Sequence, residues 1–308
     1  TKNIPFGNVT YNNIKLLGHD TIYDFGGQTV TVAGDFTWGD GDSSPTIASF
    51  NNGTFQVTGN VTQTNKGPTS STATVIVTGN PLGQTVTGIS GERFLPLQIN
   101  AGANPVTLSG TIKSATYTFV SAGTFTTTGS TLDINCNSAL AYCANTTRAL
   151  TLGSKTYNHV SFNGYGTTWD LGGATLNVGG NLAVADSNGV ASRKIDNGTI
   201  KVSGDVNFTG ANGSMGNAAI EFVGSGPQTM NTANSNMPSG TITVNKSAGT
   251  LSLLSNVSWN KAGQSMTITS GVVDMAGFSL TVNNVLTIDT GTTLTQNLGI
   301  LTYGSLVN

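Results

Sequence analysis

Apolar residues alternate with polar ones over three to five positions, and then the pattern breaks. Val30 and Val32, Phe55 and Val57, Val75 and Val77, Leu97 and Ile99, Val106 and Leu108, and Leu132 and Ile134 are such patches. They recur every seven to eleven residues with Gly, Asn or Asp between them. Period-two alternation bounded by turn residues marks a half-buried strand, and short strands at regular spacing predict an all-β array. Helix is not expected: apart from 138–142 no window sustains a 3.6-residue period, and 41 glycines in 308 residues penalise helix throughout.

A longer period lies over this texture. Tyr11-Asn12-Asn13-Ile14 and the run Thr21 to Phe36 are echoed by Tyr157-Asn158-His159-Val160 and Thr167 to Leu182, an offset of 146. Asn52-Gly53-Thr54-Phe55-Gln56-Val57 matches Asn197-Gly198-Thr199-Ile200-Lys201-Val202 at 145, and Leu97 to Asn100 matches Ile242 to Asn245. The offset slips to 148 where Gly123, Phe125, Gly129, Leu132 and Ile134 meet Gly271, Val273, Gly277, Leu280 and Val282. A tandem duplication of about 145 residues accounts for nearly the whole chain. It divides the chain into units 1–150 and 151–308, the second expected to continue the first.

Two architectures fit such a duplication, a pair of β-sandwiches or one β-solenoid. Sandwich strands are usually longer and joined by local hairpins. These strands are very short, and Gly, Asn and Asp lie where a solenoid turns its corners. The prediction is therefore a parallel β-solenoid of roughly 22 residues per turn and about 14 turns.

Composition now has a meaning. Lys+Arg number 12 and Asp+Glu 14, only 8% of the chain, beside 49 Thr and 33 Asn. Stacked turns place equivalent outward side chains about 4.8 Å apart, where repeated like charges repel and neutral Thr or Asn do not. With net charge -2 and no basic cluster, nucleic acid is not an expected partner. The longest apolar runs are a few residues, far short of the roughly 18 that would suggest a transmembrane helix. The first residues, Thr1 to Phe6, lack an initiator Met and an apolar leader, as in a mature or trimmed product.

Candidate chemistry is sparse. Cys136 and Cys143 flank a short loop at the join of the two copies and form a disulfide if the compartment is oxidising, worth roughly 2 kcal/mol. Asp40 and Asp42 align with Asp186 and Asn188, which puts oxygen ligands at alternate positions of a Gly-containing loop, as calcium loops do. The same residues suit any solenoid corner, and the remaining ligands of a calcium loop are missing. No other cofactor is indicated. Asp24 and Asp170 each precede Gly-Gly within two residues and read as turn caps. Glu92 and Arg93 read as an isolated ion pair. Trp38 and Trp259 are possible glycan-stacking residues, whereas Trp169 and its counterpart Tyr23 read as core. Threonine ladders suggest an ice-binding plane, but along the chain the Thr pairs drift and are interrupted by Lys, Asn and Gln, so such a plane is not expected.

Several segments carry a resemblance. Gly83-Gln84-Thr85-Val86, Ile220 to Thr229, Gly240 to Leu251 and Ile268 to Val282 resemble the repeats of large secreted bacterial β-helix surface proteins and adhesins. The likeness covers both copies and contains no catalytic motif. It implies a right-handed β-helix, located outside the cell or on the bacterial surface, serving in attachment or as surface structure. Segments 4–10 and 298–303 are apolar or Thr-rich with no evident cap. Self-association through terminal strands, giving a filament, is the corresponding expectation. The alternative is a polysaccharide-binding or polysaccharide-degrading β-helix protein. An enzyme would need clustered carboxylates and a base, which the sequence does not display, so a non-catalytic protein is expected.

Overall fold

The computed structural model describes residues 1–7, 9–18, 21–39, 49–68, 71–136, 146–164, 166–185, 194–210, 215–233 and 235–308. Among these residues there is no helix, and the regular structure is strand. The strands pair in parallel with the strand one turn earlier and the strand one turn later. The ladders therefore wind along the chain as a β-solenoid of about 12 turns. That is fewer than the 14 expected, because several turns take 24 or 25 residues.

The chain divides into two compact units, built mainly on Thr1–Asn135 and Ser154–Asn308. In the first unit, one ladder of inward residues runs Tyr11, Val32, Val57, Val77, Ile99, Phe119. A second, on the neighbouring sheet, runs Ile14, Phe36, Val61, Val86, Leu108. In the second unit, the first ladder becomes Tyr157, Val178, Val202, Phe222, Val244, Ile268. Each of its first five residues stands 145 or 146 positions after its counterpart, so residues matched in sequence occupy matched columns. Nearly all are fully buried. A buried aliphatic or aromatic side chain contributes roughly 1.5–3 kcal/mol, and stacking like on like lets every turn supply that contact to the next.

Corners are fixed by two recurring devices. In the first, Asp24, Asp170 and Asp274 accept a hydrogen bond at Oδ1 from the backbone N–H two residues on, at Gly26, Gly172 and Ala276 (2.8–2.9 Å). Each also accepts from the amide of an asparagine one turn later, Asn52, Asn197 or Asn297. Those asparagines sit at φ 52–53°, a left-handed conformation that Asn tolerates. Asp24 and Asp170 are thus turn caps, as their sequence suggested, and Asp274 is a third example outside the 145-residue period.

The second device is a ladder of side-chain acceptors. Asn13 Oδ1 accepts from Asp35 N, Asp35 Oδ1 from Asn60 N, and Asn60 Oδ1 from Thr85 N, at 2.7–2.9 Å. The second unit repeats it: His159 Nδ1 accepts from Asn181 N, Asn181 Oδ1 from Asp205 N, and Asp205 Oδ1 from Thr229 N. A glycine precedes four of these residues because the backbones nearly touch there; a Cβ at Gly59 would collide with the Gly34 carbonyl.

The two ends of the described chain differ. At the start, Lys2–Asn3 adds a short strand beside Tyr23 and Asp24. The Phe6 ring packs 5.2–6.2 Å from those of Tyr11, Phe25 and Phe55. The half-buried Phe6 ring thus packs against aromatic residues of the first turns. Leu301–Val307, the last strand, pairs among the described residues with Leu280–Ile288 alone. In its inward column Leu286 is wholly buried, whereas Leu306 is 44% exposed.

Candidate functional site

Trp38 and Trp259 are not a stacking platform: both are fully buried. Trp38 lies in a strand whose inward positions hold Phe36 and Trp38 itself, with Phe94 edge-on at 4.7 Å. Trp259 donates from Nε1 to Met237 Sδ at 3.1 Å. Strand alternation explains the correction, since each tryptophan falls on the parity of its apolar neighbours. Trp169 is likewise buried, while Tyr23 is half-buried and donates its hydroxyl to Leu17 O.

Asp40, Asp42, Asp186 and Asn188, the proposed calcium ligands, lie outside the described residues. So do 138–142 and Cys143; Cys136 is buried at the end of Thr131–Cys136. Among the described residues no group of three or more His, Cys, Asp and Glu is placed to hold a metal. Glu92 Oε2 accepts from Gly67 N at 3.0 Å, and Arg93 O accepts from Gln63 Nε2. This pair of residues thus ties loops to the coil. A shallow groove of about 230 Å³ on the first turn is lined by Asn3, Ile4, Pro5, Asp24, Phe25 and Gln28 among others. Its one carboxylate, Asp24, is already spent on capping.

The polar groups that the structure gathers serve the coil itself. Gln84, Gln228 and Gln264 are buried, and each holds two carbonyls of an earlier turn with its amide. Gln84 Nε2 donates to Val57 O and Gly59 O. Gln228 Nε2 donates to Val202 O and Gly204 O (2.9 and 2.7 Å), and Gln264 Nε2 to Pro238 O and Gly240 O. The remaining amide oxygen is also satisfied. Gln84 Oε1 accepts from Gly79 N, but Gln228 Oε1 accepts from Lys246 Nζ at 2.5 Å. Lys246 is itself buried and also donates to Gly226 O. Burial pushes its ammonium below the ordinary lysine pKa.

These clamps were missed in the sequence. Their signal is a glutamine directly after Gly or Pro and before Thr or Ser, as in Gly83-Gln84-Thr85, Pro227-Gln228-Thr229 and Gly263-Gln264-Ser265. On the outer surface, Lys201 Nζ lies 2.9 Å from Glu221 Oε2, one turn on. Burial opposes ionisation of Glu221, but hydrogen bonds from Lys201 and Asn245 and the Lys201 charge outweigh it and hold the carboxyl below its usual range.

Compared with protein-family models, with curated proteins and with solved structures, the chain matches none.

Proposed function

We propose that the chain is a non-catalytic structural or adhesive module of an exported surface protein, outside the cell or on a bacterial surface. The reading includes assembly of copies into a filament through open strand edges. The observation that carries it is that polar side chains are engaged in joining successive turns: buried Gln84, Gln228 and Gln264 hold carbonyls of an earlier turn, and Asn and Asp side chains link the corners. In a filament, strand edges of one copy pair with those of the next. Buried clamps and capped corners support the scaffold role, because they spend the polar residues on rigidity. In an oxidising compartment Cys136 and Cys143 close their loop as a disulfide.

The test is size-exclusion chromatography with negative-stain microscopy across protein concentration. The wild-type chain should form elongated assemblies as concentration rises. Leu306→Lys should remain monomeric with an unchanged circular dichroism spectrum. A wild-type chain that is monomeric at every concentration overturns the filament reading.

A further inference from the structure

The core of the first unit holds a polar pair that the second unit does without. Among the described residues four glutamines are buried, Gln63, Gln84, Gln228 and Gln264. In the three clamps both ends of the amide are engaged, Gln264 Oε1 accepting from Lys261 N. Gln63 is different. Its Nε2 donates to Arg93 O at 2.9 Å, but its Oε1 is buried and has no hydrogen-bond partner among the described residues.

The neighbour of Gln63 has the complementary defect. Trp38 and Gln63 are register partners on Phe36–Gly39 and Val61–Gln63, so they stand in one inward column on successive turns, about 4.8 Å apart along the ladder. Trp38 Nε1 is also buried and without a partner among the described residues. The column thus contains an unanswered donor and an unanswered acceptor, on residues 0% and 2% exposed. Leaving a buried polar atom unpaired costs more than an ordinary hydrogen bond returns, so two of opposite kind on adjacent turns call for a group that serves both.

The surroundings hold both side chains in place. The Trp38 ring packs against those of Phe36 and Phe94, with centroids at 5.2 and 4.7 Å. Gln63 is fixed through Arg93 O, and the chain is so close there that a Cβ at Gly67 would overlap that carbonyl and the amide nitrogen. Gly67 N in turn donates to Glu92 Oε2, and Thr64 donates from N and Oγ1 to Trp38 O. Reversing the Gln63 amide would set its oxygen against the Arg93 carbonyl, so the polar mismatch would only move.

The duplication supplies a comparison. Leu16, Trp38 and Gln63 correspond to Phe162, Val184 and Phe208, which form the matching column of the second unit and are fully buried. The coil therefore closes at this place with hydrocarbon alone, and the fold does not require the polar pair. Trp259 Nε1 is satisfied by Met237 Sδ. Trp169 Nε1 is buried without a partner among the described residues, but its register neighbours Arg148 and Ile195 carry no side-chain acceptor.

We propose that Trp38 and Gln63 form the binding site of one internal water molecule, which accepts from Trp38 Nε1 and donates to Gln63 Oε1. Water is the smallest molecule that offers both an acceptor and a donor, and buried waters sit where they meet at least two otherwise unsatisfied groups. So bound, it joins two successive strands to segment 92–94, because the same amide holds Arg93 O. The site lies inside the first unit and does not depend on assembly of copies.

The test is water-to-protein magnetisation transfer by NMR on the intact 308-residue chain, deuterated and labelled with nitrogen-15. Laboratory-frame and rotating-frame versions separate dipolar transfer from proton exchange. The three indole N–H signals are assigned with Trp38→Phe, Trp169→Phe and Trp259→Phe. Trp38 should show a dipolar cross-peak to water with the sign of a long-lived complex, and Trp259, bonded to sulfur, should show none. In Gln63→Met, which keeps the side-chain length and removes the acceptor, the Trp38 cross-peak should be lost. Absence of the cross-peak in wild type overturns the proposal, as does its survival at full strength in a folded Gln63→Met. A crystal structure of wild type gives a second reading that needs no variant. A water within hydrogen-bond distance of both Trp38 Nε1 and Gln63 Oε1 is expected; a direct bond between the two atoms, or a protein group in the water's place, overturns the proposal.

Discussion

At the level of single residues, the chain's few charges and buried amides have definite positions. Lys246 occupies the place that Ala101 holds in the first unit, and both are buried. Its ammonium replaces a backbone N–H as donor to the clamp glutamine, at the cost of desolvation. Because burial holds its folded pKa below the ordinary 10.5, the native state releases this proton before the unfolded state does. Between the folded value and the unfolded one, the unfolded chain binds more protons, so stability rises with pH there. Urea denaturation of wild type and Lys246→Met from pH 7 to 10.5 isolates this term. The stability difference, wild type minus variant, should stay level and then climb towards the upper end of that range. A difference that falls with rising pH would refute the assignment. Gln84 permits a simpler check. Gln84→Leu leaves two carbonyls and the Gly79 N–H without this partner, and should cost about 3 kcal/mol in urea denaturation. A loss below ~1 kcal/mol would show that water replaces the clamp.

Among elements, the corner ladders explain why sequence reading succeeded where it did. The alternation of Val30 with Val32 or Leu97 with Ile99 marked strands because each outward residue meets solvent and each inward one meets the next turn. The duplication was legible because the columns require equivalent residues at equivalent places. Trp38 and Trp259 were ambiguous, since a tryptophan at a strand end suits either a core or a binding platform until neighbouring parity is fixed. The glutamine clamps were hidden because Gln is ordinarily a surface residue, and its role depends on carbonyls 24 to 27 positions earlier. The Asx ladder makes its own prediction through Asn60, whose counterpart is Asp205. Both side chains accept a backbone N–H one turn on. Asn60→Asp should therefore change stability by less than about 0.5 kcal/mol, while Asn60→Ala, which removes the acceptor, should cost about 1 kcal/mol. Equal losses in the two variants, measured by chemical denaturation, would mean that the ladder bond is not what matters there.

Over the whole molecule, the scarcity of charge is a property of stacking. Thr243, Thr267 and Thr287 stand in one outward column of the second unit on three successive turns. Two unit charges ~4.8 Å apart in water repel by about 0.9 kcal/mol, more at a surface of lower effective dielectric. Three glutamates there, following Glu221 in the same column, would make three such contacts and cost about 2.6 kcal/mol at low ionic strength. At high ionic strength most of this is screened. The triple variant Thr243→Glu, Thr267→Glu, Thr287→Glu should therefore melt well below wild type in 10 mM NaCl and recover in 500 mM, while wild type changes little between the two. The natural Lys201 and Glu221 show how the fold admits charge: opposite signs on adjacent turns, with Asn245 completing the carboxylate's hydrogen bonds. Placing Lys at position 243 alone, directly after Glu221 in the same column, should accordingly be tolerated at either salt concentration. If the glutamate triplet were as stable as wild type at low salt, repulsion between turns would not be the reason that this chain carries threonine where other proteins carry charge.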